Sequence, residues 1–227
     1  MSNQEEQVIR KIERREHIRL SETRIPPLDE KENAKFMKDF LLNKSEWDKM
    51  IKTYIENTKE FNKQFPYLHV FATYARYREL RMRLGIFTSH ILGHSLLPAR
   101  ENEILTLRIA RLCYSKYAWG QHALNAKATG LLSDDDISRI IEGPDAEGWD
   151  PFDAILLRAV DELYTDAFIT NETWKILTER YDTSQLMDLV ITVGFYNMTA
   201  MALNTFGVQL EEKFKALIKG LGIKMTF

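Results

Sequence analysis

Only ten glycines and six prolines interrupt this chain of 227 residues, so the strongest breakers of regular structure lie far apart. Between them, apolar residues recur at intervals of three and four, the spacing that lines one face of an α-helix. Asp29 to Asn43 brings Phe36, Met37, Phe40 and Leu41 to one side, and about Ser45 to Asn62 does the same with Trp47, Met50, Ile51, Tyr54, Ile55 and Phe61. Pro66, at a first-turn position, opens a third helix carrying Leu68, Val70, Phe71, Tyr74 and Tyr77, and a fourth runs from about Glu79 to Leu92. The next begins near Pro98. Ser115 caps a helix from Lys116 to Thr129, which Gly130 stops. Ser133-Asp134-Asp135-Asp136 is a capping pattern for a short helix to about Ile141. Helices from Pro151 to about Asp166, from Thr170 or Asn171 to Tyr181, and from Thr183 to Thr205 follow, then a short amphipathic one over Glu211 to Lys219. No segment alternates as a strand does, so the predicted class is all-α with about ten helices.

Residues 1–22 form a charge-dense arm with a thin apolar stripe, read as a solvated or partner-packing extension. Residues 23–210 form the main domain and 211–227 a tail helix. Leu107-Arg108 with Tyr114 is echoed by Leu157-Arg158 with Tyr164 at the same internal spacing, the pattern of a duplicated helical unit.

A net charge of −2 provides no excess of cations to hold a phosphate backbone, which argues against nucleic acid. No apolar run approaches the roughly 20 residues of a membrane helix, and the first residues lack the apolar core of a secretory signal. The single cysteine, Cys113, excludes an internal disulfide and a two-thiol redox centre within one chain, and favours a reducing, cytoplasmic setting. No phosphate-binding glycine loop, GxSxG or zinc-spaced cysteine cluster is present.

The stretch Leu97 to Gly130 holds the strongest candidates for chemistry. Ser115, Ala118 or Trp119, and His122 share one helix face, since spacings of three, four and seven superpose. Glu103 shares a face with Leu107 and Ala110, which turns it inward, and an inward carboxylate needs a partner. His122 is that partner, whereas Glu101 and Asn102 fit a solvated first turn. A buried histidine bonded to a carbonyl is the bland alternative. Cys113 packs rather than reacts. His90 and His94 are one helical turn apart but lack HExxH or a third ligand, so no metal is expected. On the last long helix Tyr196, Asn197 and Asn204 are pocket candidates, and Gly194 permits a close helix crossing.

Taken together, the chain resembles the carboxymuconolactone decarboxylase family, which includes the alkylhydroperoxidase D-like proteins. The likeness rests on Arg24-Ile25-Pro26-Pro27-Leu28, Leu97-Pro98-Ala99-Arg100 with Glu103, Leu107-Arg108-Ile109-Ala110 and Tyr117-Ala118-Trp119-Gly120-Gln121-His122. Ala128-Thr129-Gly130-Leu131, Leu157 to Tyr164, Val193-Gly194-Phe195-Tyr196 and Leu203 to Val208 continue it in order.

The resemblance implies a twofold-repeated helical bundle that assembles as a trimer or hexamer, a dimer being the smaller option, with sites near subunit interfaces. In the peroxidase branch a Glu precedes a Cys-x-x-Cys, and a His follows the second Cys by four. Glu103 and His122 match the Glu and the His, but the cysteine positions fall on Ser115 and Ala118. Peroxide reduction needs an attacking and a resolving thiol, so the resemblance points to the branch without thiols or cofactor. There His122 moves a proton and Glu103 orients it. Ser115, Tyr117 or Tyr196 donates to a substrate oxygen, and Trp119 shapes the wall. Asn197 and Asn204 complete the candidate substrate-binding set. The expected activity is cofactor-free decarboxylation of a small carboxylated or lactone/enone-type substrate. Other cofactor-free lyase, isomerase or lactone hydrolase reactions stay open, as does a non-catalytic ligand-binding oligomer.

Overall fold

The computed structural model describes residue 20, residues 22–64 and residues 68–225. Every regular element among them is helical, with eleven α-helices and one short π-helical segment. The arm over 1–22 therefore lies almost wholly outside the described residues, as does Pro66.

The chain divides into two compact units, one over Ser21–Ser95 and one containing Leu96–Phe227. This division differs from the boundaries expected at 22/23 and 210/211. The break falls inside the expected main domain, and the C-terminal segment belongs to the second unit.

In the first unit, α1 (Glu30–Phe36) runs into the π-helical segment Met37–Leu41, followed by α2 (Lys44–Gln64), α3 (His69–Tyr74) and α4 (Arg78–Gly93). The single helix expected over Asp29–Asn43 is thus divided by a change in helix type. Asp29 caps α1 with Glu32 returning the bond, a full capping box. α2 packs on α4, and Gly85 makes that approach possible. A Cβ there would lie 2.0 Å from the Tyr54 hydroxyl. His94 ends α4 with its Nδ1 2.9 Å from the Ser89 carbonyl.

The second unit is built around α5 (Ala99–Leu112), which packs against α6 (Lys116–Ala128), α7 (Asp134–Glu142), α8 (Pro151–Asp166) and α10 (Thr183–Thr205). Glu101 and every residue from Glu103 to Ala110 are buried, as befits a helix surrounded on all sides. α9 (Asn171–Thr178) packs on α8, and α11 (Glu212–Gly220) packs on α6. The caps follow the sequence. Ser133 forms a capping box with Asp136, Asp150 precedes Pro151 at the first helical position, and Thr170 and Asp182 accept from backbone N–H groups three residues on.

Several expectations are corrected. Ser115 stands at the N-cap of α6, but its side chain makes no capping bond. Glu101 is not a solvated first-turn acid. It is buried and accepts hydrogen bonds from Tyr181 and Arg180. Gly194 is exposed, with nothing within 4 Å of a Cβ placed there, so no crossing among the described residues requires it. α10 has 23 residues and a window of mean hydropathy 1.5, enough by length and composition to cross a membrane, where the sequence reading found no such run. Half of that window is buried inside the protein, as in a core helix.

The echoed arginines occupy different environments. Arg108 is buried, with its fork on both oxygens of Asp161 at 2.6 and 2.7 Å and a further bond of 2.8 Å to the Ile140 carbonyl. Arg158 reaches the exposed Asp145.

Candidate functional site

A sharp turn brings the candidate acid and imidazole level with each other. Cys113 ends α5, and Tyr114 adopts the left-handed conformation at φ 54°. The Ser115 N–H then bonds the Ala110 carbonyl at 2.9 Å, a closure that glycine usually provides. α6 starts at once, so α5 and α6 form a tight helical hairpin. Glu103 lies ten residues before Cys113 and His122 nine after it. At 1.5 Å per residue the two are therefore level along the hairpin.

They meet. His122 Nδ1 lies 3.0 Å from Glu103 Oε2, with the side chains 18% and 11% exposed. A neutral ring facing an ionised carboxylate, which only accepts, donates from Nδ1 and leaves Nε2 bare. Among the described residues Nε2 has no hydrogen-bond partner. Asn125 Nδ2 donates to the other carboxylate oxygen at 2.9 Å, so both oxygens are held. Tyr196 stands edge-on to the imidazole, ring centres 4.9 Å apart at 89°. Burial first, and the Glu103 charge second, push the Tyr196 phenol far above the usual tyrosine range, with a smaller opposing effect from Thr106. Tyr196 therefore remains a neutral donor. Two further hydroxyls, Ser115 and Thr192, are fully buried and have no hydrogen-bond partner among the described residues. Thr192 is one helical turn before Tyr196, and Ser115 is two turns before His122.

Of the sequence candidates, Glu103, His122 and Tyr196 come together, and Ser115 shares the His122 face. Tyr117 and Trp119 do not join them. Tyr117 donates to Glu211 at 3.0 Å, and Gln121, one turn on, donates to the other Glu211 oxygen. Trp119 is fully buried and donates to the Lys224 carbonyl. Both side chains fasten the C-terminal segment to α6, so neither forms a wall beside His122. Asn197 and Asn204 also lie elsewhere, around Cys113. Asn197 accepts from its thiol at 3.2 Å, and Asn204 donates to its carbonyl at 2.8 Å.

Burial pushes the Cys113 thiol up to about 11, which fits a packing role. Among the described residues no three His, Cys, Asp or Glu side chains cluster closely enough to hold a metal ion. Asn125 is the contributor that the sequence reading missed. Its signal was available, since it follows His122 by three on the same helix face.

The helical architecture is shared with a solved structure, that of an uncharacterized peroxidase-related protein from Silicibacter sp. TM1040. The TM-score is 0.60 and the identity 15%, over 70% of this chain and 87% of that one. The likeness is one of fold, and it agrees with the alkylhydroperoxidase-like architecture expected from the sequence. Neither a family model nor a curated protein matches the sequence.

Proposed function

We propose that this protein is a cofactor-free acid/base enzyme of the carboxymuconolactone decarboxylase type, acting on a small carboxylated or lactone/enone-type substrate. One observation carries the reading: Glu103, itself clamped by Asn125, holds His122 by Nδ1 and leaves Nε2 free to take up a proton and deliver it. Loss of carbon dioxide beside a conjugated carbonyl sends the bonding pair onto that carbonyl and leaves an enolate. A proton delivered to carbon completes the reaction. The enolate oxygen needs a neutral donor in a dry setting, the role assigned to Tyr196 or Ser115. Glu103 acts through His122 and is a positioning residue.

The structural neighbour is described as peroxidase-related, but a thiol peroxidase is a poor fit to this chain. Its sole thiol is Cys113, raised toward 11 and bonded to Asn197, and the thiolate is the reactive form. Reduction of an organic peroxide with a dithiol donor should stay at background.

The activity test is a panel of small lactones, enones and unsaturated carboxylic acids, followed by ultraviolet absorbance and carbon dioxide release. On any substrate that turns over, His122→Gln should lower turnover at least about 100-fold. Unchanged turnover in a folded variant removes His122 from the mechanism.

We also propose that the protein self-associates through α10. Met187, Ile191, Gly194, Met198 and Met201 form an exposed stripe without charge. Met187 and Met201 each lie seven residues from Gly194, with Ile191 three before it and Met198 four after. Such near-symmetry suits an antiparallel twofold pairing of the helix with its copy. The open glycine would then lie at the closest approach.

A further inference from the structure

A cavity of about 630 Å³ opens on the other side of α6, between its first residue, the end of α10 and the C-terminal segment. Its position relative to the acid/base pair follows from the helix. Gly120 faces the cavity wall, since a Cβ there would lie 2.8 Å from Leu210 and 2.9 Å from Ile218. His122 is two residues on, rotated about 200°. The two sites therefore occupy opposite faces of one helix. Among the sequence-selected residues, only Asn204 lines the cavity.

The cavity has an apolar floor and a cationic rim. Leu203, Leu210, Ile218 and Ile223 provide the floor, and Lys116, Lys215 and Lys219 lie around it. No acidic side chain is among the lining residues, in a chain whose net charge is −2. Lys215 pairs with the neighbouring Glu212. Lys116 and Lys219 have no ion-pair partner among the described residues. Lys116 is also the first residue of α6, whose opening turn receives no side-chain cap from Ser115. The positive end of the α6 helix dipole adds to the positive potential. Tyr114, at its left-handed φ, stands at the cavity 65% exposed, and backbone strain of this kind gathers at ligand sites. The walls are held in place. Tyr117 and Gln121 tie down Glu211, Trp119 holds the Lys224 carbonyl and Lys127 the Leu221 carbonyl. The volume lies within the range of roughly 300–1,000 Å³ that small-molecule sites occupy.

We infer that this cavity binds a free amphipathic carboxylate, a molecule with one anionic head and an unbranched apolar body. The head lies between Lys116 and Lys219, and the body lies on the Leu203–Leu210–Ile218 floor. Charge complementarity selects the head and the apolar floor selects the tail.

The test titrates the full-length protein with decanoate, decanol and decylammonium by isothermal calorimetry. Decanoate binds, decanol binds at least about tenfold more weakly, and decylammonium gives no heat. The double variant Lys116→Met, Lys219→Met keeps the stems and removes both charges. It should weaken decanoate about tenfold while leaving decanol unchanged, at an unaltered thermal midpoint. His122→Gln should leave decanoate binding intact, so this site is judged separately from the acid/base reading. Three results would overturn the inference: decanol binding as tightly as decanoate, no decanoate heat up to about 1 mM, or loss of decanoate binding in His122→Gln but not in the lysine variant.

Discussion

The neutral imidazole of His122 should be found as the Nδ1–H tautomer, and Glu103 should be the reason. In water a histidine ring exchanges between its two neutral forms. Here Nδ1 faces a carboxylate oxygen at 3.0 Å. The acceptor is 11% exposed, so little water competes for it. Asn125 fixes the second oxygen, and the Tyr196 edge at 4.9 Å stands against the ring. A hydrogen bond to a charged group contributes about 1.5–3 kcal/mol. With 1.36 kcal/mol per factor of ten, Glu103 biases the tautomer ratio toward Nδ1–H by roughly 10- to 100-fold. The perturbation is Glu103→Leu, which keeps bulk and removes the acceptor. The assay is a long-range proton–nitrogen correlation spectrum of labelled protein, in which the two ring nitrogens of neutral histidine differ in shift according to which carries the proton. The native spectrum should show Nδ1 protonated, and the variant should lose that bias. A native ring protonated at Nε2, or an identical spectrum in the variant, would refute the reasoning, because Nε2 would then not be the nitrogen left free for chemistry.

Three further outcomes are expected. Arg108→Met deprives Asp161 and the buried Ile140 carbonyl of their donor. Removing one partner of a buried pair costs 3–5 kcal/mol, and since Asp161 is 29% exposed the low end, about 3 kcal/mol, applies. Thermal melting should fall by about 6–12 °C, and a fall under about 2 °C would contradict the packing described. With its thiol near 11, Cys113 is less than about 1% thiolate at pH 8, and the fraction rises tenfold per pH unit toward 11. Alkylation by iodoacetamide should follow that slope between pH 7 and pH 10, and a plateau by pH 8 would place the thiol in a different environment. Met198→Glu puts a charge in the middle of the exposed α10 stripe and should convert the protein to monomer in sedimentation velocity. A native protein already monomeric at high micromolar concentration would refute the stripe as a contact.

Most helices were legible because what makes a helix is local. Ser133 with Asp136, Asp150 before Pro151, and Thr170 before Asn171 specify starts through groups two or three residues apart. The same short range misled in places. Asp29 to Asn43 carries a good helical stripe, but its second half adopts π-helical geometry. Glu101 has the composition of a solvated first turn, and only the approach of α9's end, with Arg180 and Tyr181, buries it.

The Glu103–His122 pair belongs to the legible part, because one tight hairpin turn at Tyr114 sets both residues level and periodicity then turns them toward each other. Tyr117, Trp119 and Asn204 were beyond reach. Their helix faces could be written down, but the neighbour of each face is set by how a segment about a hundred residues away in the chain packs against it. Glu211, Lys224 and the lysine-rimmed cavity come from that packing. Periodicity along a chain reports which side chains share a face, whereas the partner of a face depends on helix crossings made by residues far apart in sequence, and that is what the tertiary structure decided.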